Sequence, residues 1–379
     1  IDALFGLVSM RLCASVCMAA FQIKQRPDDE YLLISQRPIQ NTLPHWAQIH
    51  PRYARAVFRH ACGLTPVPQT PKVIDWLQNN AHQIAPVLEI DLQVNTGIPI
   101  DLGIGSSLLG ADAASITETS LTPRLFGHMA KSEAKIGLGL YDEARLIYTH
   151  PAFNPGTKIT DEHRTIHLGL DLFAPAGTRI DAPLKGSLHA FAENATPFDY
   201  GPVIVLEHHT DDGTPFYTLY GHLSRESLKG LRLGQTFEAG QKLCTLGTPN
   251  VNGGWTPHLH FQIITDLLEL GSDFPGVCQY SQRPIWQSFS PDPNLLLRIP
   301  AECFPKRQPN KASTLALRRK IIGGNLSIGY QEPLKIERGW MQYLFDETGR
   351  RYVDAYNNVP HVGHCHPRVV AAGQQQMAV

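Results

Sequence analysis

The sequence predicts a multidomain α+β chain, a fragment of something longer, whose centre is a mainly antiparallel β domain. Three observations lead there. The 379 residues exceed what one ordinary domain needs. Glycine (31) and proline (29) are plentiful, which favours turns and short strands over long helices. The texture also changes along the chain, dividing it into a helical region at 1–90, an irregular link at 91–138, a β-rich region at 139–300 and a third segment at 301–379.

Composition narrows the function classes. Charged residues make up 18%, against roughly 25% in an average soluble protein, and the net charge is −1. A nucleic-acid partner that needs a basic face is not expected. The seven cysteines are odd in number, scattered and free of any C-x-x-C pair, so a reducing, cytoplasmic compartment is expected. The apolar stretch Ile1–Phe21 is interrupted by Asp2 and Arg11 and lacks the cationic start of a signal peptide. It reads as a buried helix, with no membrane span. With no initiator methionine, the chain reads as part of a longer protein.

Element by element, Leu4, Leu7, Val8, Leu12, Val16 and Ala19 recur at helical spacing. A second helix fits Pro51–Cys62, with proline at its start and Gly63 past its end. A third fits Lys72–Ile84, before Pro86. Strands are expected at Ser187–Ala192, Val203–Glu207, Phe216–Tyr220, Lys242–Leu246 and His258–Ile264. A hairpin is expected where Gln342–Asp346 and Arg351–Tyr356 flank a Glu347–Gly349 turn.

Of the 17 histidines, eight lie between His163 and His260. Two patterns among them invite chemistry: His167-Leu-Gly-Leu-Asp171 and His258-Leu-His260. Residues two apart on a strand share a face, so His258 and His260 can look into one site. In an extended strand His167 and Asp171 would stand roughly 13 Å apart, too far for two ligands of one ion, so a bend at Gly169 is expected. A His/Asp/His set suits Zn²⁺ with an open position for water. His222, ending another strand, can join His258 in moving protons or holding an oxyanion.

The order of these residues resembles the lysostaphin-like zinc metallopeptidases of the M23 class. The resemblance runs from His167 to Pro183, through the G-x-V-x-V-x-x-H pattern of Gly201–His208 and Tyr220-Gly-His-Leu-Ser224. It continues in Leu233–Gly247 and Pro257-His-Leu-His-Phe261. It implies zinc, one per chain, on His167, Asp171 and His260, with His222 and His258 as the catalytic histidines that do not bind metal. It further implies peptide-bond hydrolysis, commonly of peptidoglycan cross-links. Two departures border the cleft: Gln262 stands where glutamate is common, and Asn250-Val-Asn-Gly-Gly-Trp255 replaces a serine/threonine-glycine run. They bear on substrate choice.

Residues 310–379 resemble the start of a class III, pyridoxal-phosphate-dependent aminotransferase, through Tyr343-Leu-Phe-Asp-Glu-Thr-Gly-Arg350 and Asp354–Pro367. Pyridoxal phosphate is expected only in a full-length parent, and transaminase activity is not expected of this chain. His361, His364 and His366 belong to that resemblance and are expected to be structural. Residues 1–40 resemble the C-terminal helices of an aminoglycoside-phosphotransferase-like kinase without its catalytic residues. Asp101-Leu-Gly-Ile-Gly-Ser-Ser lacks the lysine of a phosphate loop. Two readings follow: a zinc metallopeptidase acting on peptide or peptidoglycan-like substrates, or a non-catalytic scaffold in a kinase/aminotransferase fusion that processes small amines.

Overall fold

Short runs of β-branched and aromatic residues in the middle of the chain build one large sheet. The computed structural model describes every residue except 35, 91, 93–96, 111–115, 117, 159–160, 306–309, 357–358 and 379. In chain order the first strands are β1 (Ile98–Pro99), β2 (Gly137–Gly139), β3 (Ile166–His167), β4 (Leu170–Phe173) and β5 (Arg179–Asp181). There follow β6 (Gly186–Asn194), β7 (Gly201–His209), β8 (Pro215–Gly221), β9 (Thr236–Phe237), β10 (Lys242–Thr245), β11 (His258–Ile264) and β12 (Val277–Cys278). The eight-stranded sheet has the order β1-β2-β4-β11-β8-β7-β6-β9. Its neighbours are antiparallel except the β1–β2 pair at one edge. β5 pairs with β10, and β3 with β12, as two-stranded ladders beside it.

Every position of β11 is buried, because both faces of the sheet are covered. Leu259, Phe261 and Ile263 face a core shared with Leu170, Leu172, Ile204 and Tyr220. The alternate set is His258, His260, Gln262 and Ile264, and Ile264 joins a second core with Val203, Leu219, Phe274 and Phe289. The period of two thus puts three polar side chains of β11 on one face.

The N-terminal region is helical as expected, with α1 (Leu4–Gln25), α2 (Tyr31–Ile34), α3 (Gln36–Ala47), α4 (Pro51–Ala61) and α5 (Thr70–Asn79). The third helix starts two residues earlier than predicted and ends at Asn79, so that 81–83 forms a separate 3-10 turn. Val73 and Leu77 of α5 pack into the first core, and Ala56 of α4 into the second. The expected burial of α1 does not occur. Only Ala19 is buried, while Leu7, Met10, Met18 and Phe21 are exposed, because α1 packs on α2, α3 and α4 along one side alone. By length and composition α1 is apolar enough to cross a membrane, the one such helix among the described residues.

Where an irregular link was expected, α6 (Glu118–Lys131), the edge strand β1 and its neighbour β2 form, and β2 pairs with β4. Leu121, Leu125 and Met129 of α6 make a third core with Ile100, Leu102 and Phe173. After the sheet come α7 (Arg283–Phe289) and α8 (Asn294–Leu297), which close the two main cores, then α9 (Lys311–Ile321). The predicted hairpin is present as β14 (Tyr343–Asp346) and β15 (Arg351–Val353), joined by β13 (Ile336–Trp340) and followed by α10 (Pro367–Met377). His364 pairs with Asp354 at 2.7 Å, and His366 stands at the N-cap position of α10 with no side-chain bond to the helix. The Asp101–Ser107 loop offers carbonyls rather than amides: Ile104 and Ser106 accept from the Arg338 guanidinium, the arrangement opposite to a phosphate cradle.

His208, at the end of β7, is 2% exposed, with Nδ1 on the Lys185 carbonyl at 2.8 Å and Nε2 beside the Thr218 hydroxyl at 2.8 Å. Burial pushes its pKa down from 6.5 to about 4. Below pH 6.5 the unfolded chain takes up a proton that the folded chain refuses, so stability present above that pH is lost as pH falls toward 4. The loss amounts to up to ~3 kcal/mol. Urea unfolding of the parent and of His208→Gln at pH 7 and pH 4.5 checks this; the variant is expected to show the shallower pH dependence.

Candidate metal centre and its cleft

The five predicted site residues converge, and all are between 0% and 5% exposed. The bend expected at Gly169 is there: β3 ends at His167 and β4 begins at Leu170. It brings His167 Nε2 to 3.2 Å from Asp171 Oδ1. A Cβ on Gly169 would lie 2.6 Å from His260 Nε2, so only glycine lets that ring lie over the bend. Antiparallel pairing then sets His260 opposite Asp171 and opposite Gly221 on the other side, which delivers His222 one residue on. His222 adopts a left-handed φ of 64°, held by Tyr200 O on its amide at 2.8 Å.

His167 Nε2 and His260 Nδ1 are 3.0 Å apart, and Asp171 Oδ1 is 3.2 Å from each. The other ring nitrogen of His167 must donate to the Leu140 carbonyl, at 2.9 Å, which leaves Nε2 with only a lone pair. His260 Nε2 lies 3.0 Å from Gln262 Oε1. Three lone-pair atoms therefore face one point. Ligands about 2 Å from a tetrahedral ion stand roughly 3.3 Å apart, so the donor set and its spacing fit a zinc-like cation. His167, Asp171 and His260 also form the one group of three metal-type ligands found among the described residues.

Beside them, His222 Nδ1 is 2.9 Å from the Asn252 carbonyl and His258 Nδ1 is 2.6 Å from the Thr256 carbonyl. Both Nδ1 atoms donate, so both Nε2 atoms carry lone pairs. The two rings have centroids 4.3 Å apart. Burial lowers the pKa of each, and their mutual repulsion lowers that of His222 further. The Asn250–Trp255 stretch is built around Asn252, which is 0% exposed and bonds Trp255 at both its backbone N–H and C=O.

Sequence reasoning missed Arg145. It is 2% exposed, and its Nη1 donates to Asp171 Oδ2 at 2.6 Å while Nε donates to Glu143 at 2.9 Å. Burial alone would raise the Asp171 carboxyl, but His167 and Arg145 hold it well below the ordinary range. Burial pushes Glu143 up to about 7 against the pull of Arg145. No local pattern marks Arg145, since its partners lie up to 26 residues away. A cleft of about 330 Å³ opens beside His222 and His260, walled by Tyr148, Phe153, Phe198 and Trp255, with Arg164 and Asp199 on its rim. Leu102, Leu109, Ile116 and Leu121 line a second cavity of about 40 Å³ together with Asp171, His222, His258 and His260.

Replacing Arg145 with leucine leaves two buried carboxylates without their cation. The expected loss is ~3–5 kcal/mol, read from urea unfolding in the presence of a chelator.

Residues 165–270 match Peptidase family M23. Among solved structures, the chain is similar to a peptidase M23 from Pseudomonas aeruginosa, 22% identical, covering 35% of this chain and 44% of that one, with TM-score 0.24. It is also similar to the catalytic domain of lysostaphin from Staphylococcus simulans, 24% identical, covering 32% and 80%, with TM-score 0.23. Among curated proteins it is 56% identical over 72 residues to an alanine--glyoxylate aminotransferase 2-like protein of Drosophila melanogaster, covering 19% of this chain. It is 41% identical over 80 residues to an ethanolamine-phosphate phospho-lyase homolog of Caenorhabditis elegans, covering 21% of this chain. The chain spans 15% and 17% of the length of those two relatives. The aminotransferase likeness read at 310–379 is thus found in part. All five histidine and aspartate residues of the site lie inside 165–270, the stretch that matches Peptidase family M23.

Proposed function

We propose that this chain is a zinc-dependent metalloendopeptidase that hydrolyses peptide bonds, with peptidoglycan cross-links as its substrate class. The observation that carries the reading is the convergence of His167, Asp171 and His260 at 3.0–3.2 Å with two neutral imidazoles beside them. His167 Nε2, Asp171 Oδ1 and His260 Nδ1 would hold the ion. When bound, such an ion polarises a carbonyl and lowers the pKa of water toward neutrality.

The remaining work belongs to the chain. The Nε2 lone pairs of His222 and His258 accept a proton from the attacking water. The imidazolium so formed donates from Nε2 to the oxyanion, then to the leaving amine. With the rings 4.3 Å apart, one proton on the pair opposes a second. Arg145 holds Asp171 by its other oxygen, so that Oδ1 stays turned toward the site. The aromatic walls of the cleft favour an extended peptide and exclude water.

A second reading, a non-catalytic scaffold in a fusion that processes small amines, is supported by the curated relatives and by the burial of all five site residues. We place the chain in the cytoplasm on its seven unpaired cysteines.

Elemental mass spectrometry and peptide hydrolysis together test the proposal. The parent is expected to carry one zinc per chain, and His260→Ala none, because a three-ligand site keeps little affinity on losing one. His222→Ala and His258→Ala are expected to keep zinc while hydrolysis falls by about 10²–10⁴-fold. A zinc-loaded parent that cleaves no peptidoglycan peptide favours the scaffold.

A further inference from the structure

We infer that Gln262 is a positioning residue for metal binding: its carboxamide fixes the one tautomer of His260 that leaves Nδ1 open to a cation. The inference rests on the metal reading above.

Gln262 is 0% exposed on the same face of β11 as His260. Its Nε2 donates to the Pro275 carbonyl at 3.2 Å. A carbonyl can only accept, so the amide nitrogen lies on that side and Oε1 must face His260. Oε1 in turn can only accept, at 3.0 Å, so His260 carries its proton on Nε2. In the neutral ring Nδ1 is then left with a lone pair, 3.0 Å from His167 Nε2 and 3.2 Å from Asp171 Oδ1.

The other three imidazoles are oriented by main-chain carbonyls, those of Leu140, Asn252 and Thr256. No side-chain substitution removes those acceptors. Of the four rings, His260 alone depends on a side chain for its tautomer.

The partner of Gln262 is itself held. Phe274 O accepts from the Tyr200 hydroxyl at 2.9 Å, Pro275 O from Gln262, and Gly276 O from the Leu168 amide at 2.8 Å. Three consecutive carbonyls thereby tie this strap to three sides of the site. A Cβ on Gly276 would stand 2.5 Å from the Tyr200 hydroxyl and 3.2 Å from His260 Cε1, so the strap lies against the ring itself.

The test uses the full chain and zinc, with two variants. Gln262→Met keeps the length of the side chain and removes the acceptor. Gln262→Glu keeps an acceptor for His260. Long-range ¹⁵N NMR of the metal-free proteins at pH 8, where imidazoles are neutral, reads the His260 tautomer, and competition with a chelating dye reads the zinc Kd. Expected are an Nε2–H tautomer in the parent, its loss or mixing in Gln262→Met, and a zinc Kd weakened about 10–100-fold there. Gln262→Glu is expected to restore the Nε2–H tautomer and to bind zinc within about tenfold of the parent. A zinc-binding parent beside a Gln262→Met chain of unchanged tautomer and Kd overturns this assignment alone. So does an Nδ1–H tautomer in Gln262→Glu, which keeps the idea falsifiable where the methionine variant does not fold. A parent that takes up no zinc overturns the metal reading and this assignment with it.

Discussion

The register between β11 and β4 is the constraint on which the rest of the site depends. His260 stands opposite Asp171, and His258 opposite Phe173. A slip of one residue would turn Leu259 and Phe261 toward the cleft and bury the histidines among Leu170, Leu172 and Ile204. The apolar alternation of β11 therefore does two things at once. It anchors the strand in the larger core, and that anchoring forbids any register but the one that brings a ring nitrogen to the carboxylate. β8, paired on the other edge of β11, carries His222 into place by the same logic.

Holding those groups together is costly without partners. Four imidazoles, two carboxylates and a guanidinium share a volume almost without water contact, and each unpaired polar group there would cost about 1–3 kcal/mol. The structure meets the demand with acceptors and donors in fixed places. Main-chain carbonyls take the outer proton of three rings, Gln262 takes that of the fourth, and Arg145 bridges Asp171 and Glu143. The result is a set of rings whose inner nitrogens all point toward one another. An arrangement of lone pairs facing lone pairs is satisfied by a cation, which links the stability of the centre to its chemistry.

The surroundings are shaped by segments distant in sequence. Residues of the 98–131 stretch form one wall of the site, and Thr122 meets Thr256 at 2.9 Å, next to His258. The Asp101–Gly110 loop is pinned from outside by Arg338 of β13, through the carbonyls of Ile104, Ser106 and Gly110. Thr165, two residues before His167, gives its hydroxyl to the Thr348 carbonyl in the turn between β14 and β15. The hairpin of β14 and β15, with β13, thus rests on the same loop that lines the site.

Much of this was legible in the sequence, for local reasons. Strand alternation located β6, β7, β8, β10 and β11 to within a few residues. The i, i+2 pair His258/His260 and the glycine between His167 and Asp171 announced a shared face and a bend. Periodicity alone also made α1 a helix, yet it could not say what would cover its apolar side; in the fold little does, and only Ala19 is buried. The 98–131 wall, the Asn252 carbonyl at His222 and the Arg145–Asp171 pair had no local signature, because each acts through a contact 26 or more residues away. What the sequence by itself determined is which side chains share a strand face or a turn, since φ/ψ geometry is local. What only the tertiary structure decided is which lone pairs meet and which ring nitrogens keep their protons. At His167, His222 and Asp171 those depend on carbonyls and on a guanidinium brought in by strand pairing and loop packing, whose partners the order of residues does not reveal.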